Sequence, residues 1–103
     1  MVRSTQTEAQ LLAEGDWLAA AEICALCRIE LAAMLELAEL GLIAPRRTDE
    51  GWQVPATALP RLRIVGSLMH DLGVNASGAV LAVELIEARQ ALERRLRALE
   101  RLL

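Results

Sequence analysis

The stretch ELAAMLELAELGLIAPRRTDEGWQV, residues 30–54, decides the fold. Its first part, Glu30 to Leu40, places Met34, Leu37 and Leu40 at helical spacing. Gly41 comes at once after it, where a helix can end in the left-handed conformation. Pro45 then bars further helix, Asp49-Glu50-Gly51 supplies a turn, and Trp52 and Val54 offer an apolar return strand. A helix, a glycine stop and a small β wing are therefore expected in that order.

Upstream, LAAAEICALC from Leu18 to Cys27 is a second good helix, with Asp16 expected as its N-cap. Only Arg28 and Ile29 separate it from Glu30, so the two helices form a helix-turn-helix pair. Residues 1–15 are polar apart from a short apolar patch at Leu11 and Leu12, and are expected to be a mobile N-terminal arm. Downstream, Pro55 and Pro60 bracket the start of a helix from about Ala58 to Leu72, with Leu59, Leu62, Val65, Leu68, Met69 and Leu72 in one stripe. Gly73 ends that helix, and Asn75 caps the next one.

Residues 76–103 read as one long helix. Ala82, Leu85, Arg89, Leu92, Leu96, Leu99 and Leu103 fall along a heptad seam. Such a seam must be covered, either by its own copy or by the domain in front of it. A homodimer through Leu85, Leu92, Leu96 and Leu99 is the expectation, and Arg89 in the seam favours an antiparallel or short crossing in which its guanidinium reaches water or a carboxylate. Arg89 with Glu93, and Glu93 with Arg97, stand at neighbour spacing on the helix surface. The chain thus divides into an arm, 1–15, a winged-helix head, 16–75, and a coiled-coil-type tail helix, 76–103.

Composition agrees with this reading. The chain has 103 residues, 54% of them hydrophobic, and no Phe or Tyr, so closely packed Ala- and Leu-rich helices are favoured over a sheet of branched and aromatic residues. All 11 basic residues are Arg, and the formal net charge is −3. Residues 1–75 hold six Arg against ten Asp and Glu, a balance of −4, whereas the tail stands at +1. An acidic head does not seek phosphate. No apolar run approaches the roughly 20 residues needed to span a bilayer, and no basic-then-apolar leader opens the chain, so no membrane association and a cytoplasmic address are expected.

Catalytic constellations are hard to build from these residues. Cys24-Ala25-Leu26-Cys27 is formally a CxxC, but a second ligand pair is missing and both thiols lie inside an apolar helix, which favours buried structural cysteines over a redox or zinc site. His70 has Asp71 beside it in sequence, expected to point elsewhere on the helix, so a surface role outweighs that of a general base. No nucleophile-base arrangement, phosphate-cradling glycine loop or paired carboxylate emerges. No enzyme, no metal and no cofactor are expected. Arg46, Arg47, Arg61 and Arg63 are the one basic group of the head, expected to pair with Glu36, Glu39, Asp49 or Glu50 rather than with phosphate.

The order helix, turn, helix, wing, helix and coiled coil resembles the MerR-type winged-helix family over residues 17–103. Gly41-Leu42-Ile43-Ala44-Pro45-Arg46-Arg47 resembles that family's GL-x-x-P-x-R signature, and Gly51-Trp52 its wing Gly-Tyr. The resemblance implies an all-α fold with a small β wing, a MerR-like winged helix-turn-helix followed by a long C-terminal dimerisation helix. In that family the second helix reads DNA through Thr, Arg and Tyr. Here Leu35, Glu36 and Leu37 stand at the Arg and Tyr positions, and Glu30, Glu36 and Glu39 line a helix that would enter the major groove. DNA binding is therefore not expected.

A short, acidic MerR-like chain of this kind resembles the bacterial chaperone-modulator family CbpM, in the Ile23-Cys24 to Ile29 segment and in His70-Asp71-Leu72-Gly73-Val74. Members of that family bind the J domain of a DnaJ-like, CbpA-type co-chaperone. The resemblance implies a non-enzymatic modulator that masks the basic helix of a J domain and hinders its work with Hsp70, with Glu30, Glu36 and Glu39 as contacts and Trp52 as an apolar anchor. The runner-up is a dimeric DNA-binding regulator of MerR type. A dimerising adaptor for an unrelated protein is a third reading.

Overall fold

The computed structural model describes residues 15–103. Strand β1 (Trp17–Ala19) leads into helix α1 (Ala20–Cys27), which is followed by α2 (Leu31–Glu39). The wing consists of β2 (Arg46–Thr48) and β3 (Gly51–Pro55). One turn of 3-10 helix, Ala56–Ala58, enters α3 (Leu59–Leu72), and α4 (Ala76–Leu102) closes the described chain. The fold is the expected one, a mostly helical winged helix-turn-helix with a long C-terminal helix. The expected arm lies outside the described residues, Gly15 excepted.

The wing has a third strand that local reading does not find. β1 pairs antiparallel with β3, Trp17 opposite Pro55 and Leu18 opposite Val54, giving the sheet order β1-β3-β2. Asp16 is accordingly not a helix cap: its carbonyl accepts a bond from the Ala56 amide at 2.8 Å, and α1 begins at Ala20, with Ala19 as N-cap residue and no side-chain cap bond. The physical reason is that Val54 must be fully buried, and pairing Leu18 against it covers the inner edge of β3 with backbone bonds.

Local chemistry sets the helix boundaries. Gly41 takes φ +83° after α2, and Gly73 takes φ +68° after α3, each the left-handed stop expected. The Asn75 side chain accepts the Gly78 amide at 2.8 Å, capping α4. In the wing turn the Glu50 amide donates to Thr48 Oγ1 at 3.2 Å, and that hydroxyl donates to the Gly51 carbonyl at 3.1 Å.

Ile23, Leu37, Val54, Leu62, Val65 and Val83 are fully buried, so every element from α1 to α4 except β2 contributes to one core. α4 enters that core through Ala76, Ala79, Val80 and Val83 and packs on α3 and α2. Gly66 is the contact that lets α3 approach α1: a Cβ there would sit 2.0 Å from the Cys27 carbonyl oxygen. The expected stripe on α3 is buried at Leu59, Leu62 and Val65, half-buried at Leu68 and Met69, and ends before Leu72, which is 72% exposed at the helix tip.

Candidate protein-binding surface

α2 occupies the place of a reading helix, and its outward side is built from two columns of side chains spaced one turn apart. Leu31, Leu35 and Glu39 form one; Ala32, Glu36 and Leu40 form the other. All six are exposed, while Met34 and Leu37 hold the opposite side in the core. Glu30 is the N-cap residue, exposed, with no side-chain cap bond. Of the four expected partner contacts, the fold therefore gathers Glu30, Glu36 and Glu39 on one helix. Trp52 stands apart on β3, whose main neighbours are β1, β2 and α1, whereas those of α2 are α1 and α4.

The carboxylates are poorly placed for the helix that carries them. α2 has no basic residue in its last turn, so Glu36 and Glu39 face the negative end of the helix dipole. Neither makes an ion pair among the described residues. Cations at that end would be worth about 0.3–1 kcal/mol, and carboxylates forgo it. Leu31 and Leu35, exposed beside these carboxylates, lie off the stripe that Met34, Leu37 and Leu40 mark in the sequence. Their i, i+4 spacing, offset from that stripe, was the available signal.

Arg46, Arg47 and Arg61 take partners other than those expected. Arg46 lies over the Trp17 ring, 4.0 Å from its centroid, and donates to Gln53 Oε1 at 2.9 Å. Arg47 lies 5.5 Å over Trp52, its cross-strand partner in the hairpin. Arg61 grips Glu87 of α4 through two bonds of 2.8 and 2.9 Å and donates a third, 2.8 Å, to the Leu42 carbonyl. Tertiary packing brought Trp17 and Glu87 nearer than the local carboxylates, and the guanidiniums followed.

Arg28, in the left-handed conformation at φ 56°, ends α1 and reaches across to the tip of α3. Its Nη2 donates to Asp71 Oδ2 at 3.2 Å, and its Nη1 lies 3.1 Å from His70 Nδ1. Contrary to the sequence expectation, Asp71 does not point away from His70: His70 Nδ1 and Asp71 Oδ1 are 3.0 Å apart. The bond to His70 and then that to Arg28 hold the Asp71 carboxyl below its ordinary range. All three side chains are half exposed, which gives the trio the character of a surface clasp.

Cys27 is buried and Cys24 half-buried against the core, and burial pushes the Cys24 thiol above its usual value, away from the reactive thiolate. Among the described residues no cluster of three or more His, Cys, Asp or Glu is positioned to hold a metal, and no helix is long and apolar enough to cross a membrane.

α4 presents a second surface. Its buried residues end at Val83, with Ile86 and Glu87 half-covered, and beyond Ala88 only Ala91 is even partly shielded. Leu85, Leu92, Leu96 and Leu99 are 58–62% exposed. Advancing 100° per residue puts them on the side of α4 opposite Ala76, Ala79, Val80 and Val83, so the seam faces away from the head. Arg89 Nε bonds Glu93 Oε1 at 3.0 Å, as the spacing predicts.

A helix-turn-helix, a three-stranded wing and a projecting C-terminal helix define a MerR-type regulatory protein. The family of MerR HTH regulatory proteins matches residues 18–101, and the chain belongs to that family. It is also similar to the chaperone modulatory protein CbpM of Coxiella burnetii, strain Dugway 5J108-111, with 35% identity over 69 residues, 66% of this chain and 65% of the relative. The protein of the same name from strain RSA 331 / Henzerling II matches equally. The match thus spans just under two thirds of the relatives' length. No solved structure matches the chain.

Proposed function

We propose that this protein is a non-enzymatic chaperone modulator of the cytoplasm that binds the J domain of a DnaJ-like, CbpA-type co-chaperone and hinders its work with Hsp70. The observation that carries this reading is α2: where a DNA-reading helix needs cations, Leu31–Glu39 has none, and Glu30, Glu36 and Glu39 stand exposed. The similarity to proteins named chaperone modulatory protein CbpM supports it. In this reading the head, 16–75, meets the partner through Glu30, Glu36 and Glu39, with Trp52 an additional apolar contact. The tail helix, 76–103, pairs with a second copy through Leu85, Leu92, Leu96 and Leu99. Carboxylates facing a basic J-domain helix would speed encounter and fix its register.

The test is calorimetric titration of the protein into the isolated J domain of the same organism's DnaJ-like protein at moderate salt. Saturable binding near one J domain per chain is expected, and the E30R/E36R/E39R variant should abolish it. No heat at any reachable concentration would overturn the reading.

A further inference from the structure

The fold leaves on α2 an apolar ridge that it does not use. Leu31 and Leu35 are 56% and 46% exposed and contribute nothing to the core, which Met34 and Leu37 serve from the other side of the helix. Glu39 extends the ridge and Glu36 flanks it, both without an ion pair among the described residues. From Asp16 to Ala44 the single basic residue is Arg28, and Asp71 holds it. Leucines in water and carboxylates at the wrong end of a helix dipole both disfavour the isolated protein, and both become favourable against one kind of surface.

We propose that the Leu31–Leu35 ridge is the apolar centre of a docking face for a basic amphipathic helix. The partner's aliphatic stripe would lie on Leu31 and Leu35, and Lys or Arg at the end of that stripe and along one side of it would meet Glu39 and Glu36. Charge complementarity selects this occupant. Phosphate backbones and anionic lipid surfaces are repelled by the carboxylates, and a neutral apolar segment would leave them desolvated and unpaired. The nine residues of α2 extend about 13 Å, enough for roughly two and a half turns of a facing helix, which fits anchors one turn apart. The identity of the partner rests on the co-chaperone reading; the leucine contact is the new element.

Titration of the full chain into the J domain decides it, with wild type, L31S/L35S and E36Q/E39Q compared and their helix content checked by circular dichroism. Both variants should bind at least tenfold more weakly, and only E36Q/E39Q should also lose its sensitivity to salt. Wild-type affinity in L31S/L35S would overturn the ridge while leaving the co-chaperone reading in place. If L31S/L35S does not fold, L35Q alone carries the comparison. If wild type itself does not bind the J domain, that reading falls, and the ridge is then judged on a synthetic helix of Leu and Lys about four turns long. Binding of that helix that is weakened by L31S/L35S would uphold the inference; no binding, or binding indifferent to the variant, would overturn it.

Discussion

Arg61 holds both carboxylate oxygens of Glu87, at 2.8 and 2.9 Å, while its remaining nitrogen donates to the Leu42 carbonyl. One side chain on α3 thereby fastens the long helix and the segment just after α2. The pair is partly open to water, at 33% and 42% exposure, so its worth is tempered by screening. E87A should lower the urea midpoint by an amount corresponding to about 1 kcal/mol, and R61A by somewhat more because Leu42 also loses a donor. Equal, negligible shifts would show that apolar packing alone orients α4.

Gly66 gives the sharpest stability prediction. Replacing a helical glycine by alanine ordinarily gains about 0.5–1 kcal/mol. Here the added Cβ would meet the Cys27 carbonyl oxygen at 2.0 Å, backbone that cannot step aside cheaply. G66A should therefore destabilise by about 1–3 kcal/mol, seen as a lower thermal midpoint.

On α2, stability and binding should move in opposite directions. E36Q/E39Q removes two carboxylates from the negative end of a helix that offers them no cation. A gain of a few tenths of a kcal/mol, about 0.3–1 at most, is expected in urea unfolding, alongside weaker J-domain binding. A loss of stability would mean that these side chains have a structural partner.

The clasp of Arg28, His70 and Asp71 predicts an acid limb. The Asp71 carboxyl titrates below its ordinary value, so its contribution is complete above about pH 4, the unfolded value, and fades as pH falls through the lower folded one. The stability difference between wild type and D71N should shrink as pH falls below about 4. A difference that persists unchanged under strongly acid conditions would mean that the charge plays no part.

The seam on α4 predicts the oligomer. Four leucines exposed on the side opposite the core contribute little to a single chain. L92Q/L96Q should therefore leave the head's stability within about 0.5 kcal/mol while shifting sedimentation from dimer to monomer. A wild-type monomer at high concentration would remove the dimer from the proposal.

Local sequence specifies four helices, the stops after α2 and α3, the cap of α4 and the charge of α2, but not where α1 starts. Met34 and Leu37 at helical spacing, Gly41 and Gly73 as left-handed stops and the Asn75 cap act over a few residues, so local order suffices to specify them. That Trp17–Ala19 is a strand depends on the assembled sheet, because three residues acquire that state from the edge of β3 rather than from their own propensity. The tertiary structure also decided which partner each arginine takes, since long guanidinium side chains go to whatever packing brings near: Trp17 for Arg46, Trp52 for Arg47, Glu87 for Arg61. The exposure of Leu31, Leu35 and the α4 seam belongs to the same class. A helix with apolar residues on two sides can bury only the one its neighbours cover, and periodicity does not say which side that is.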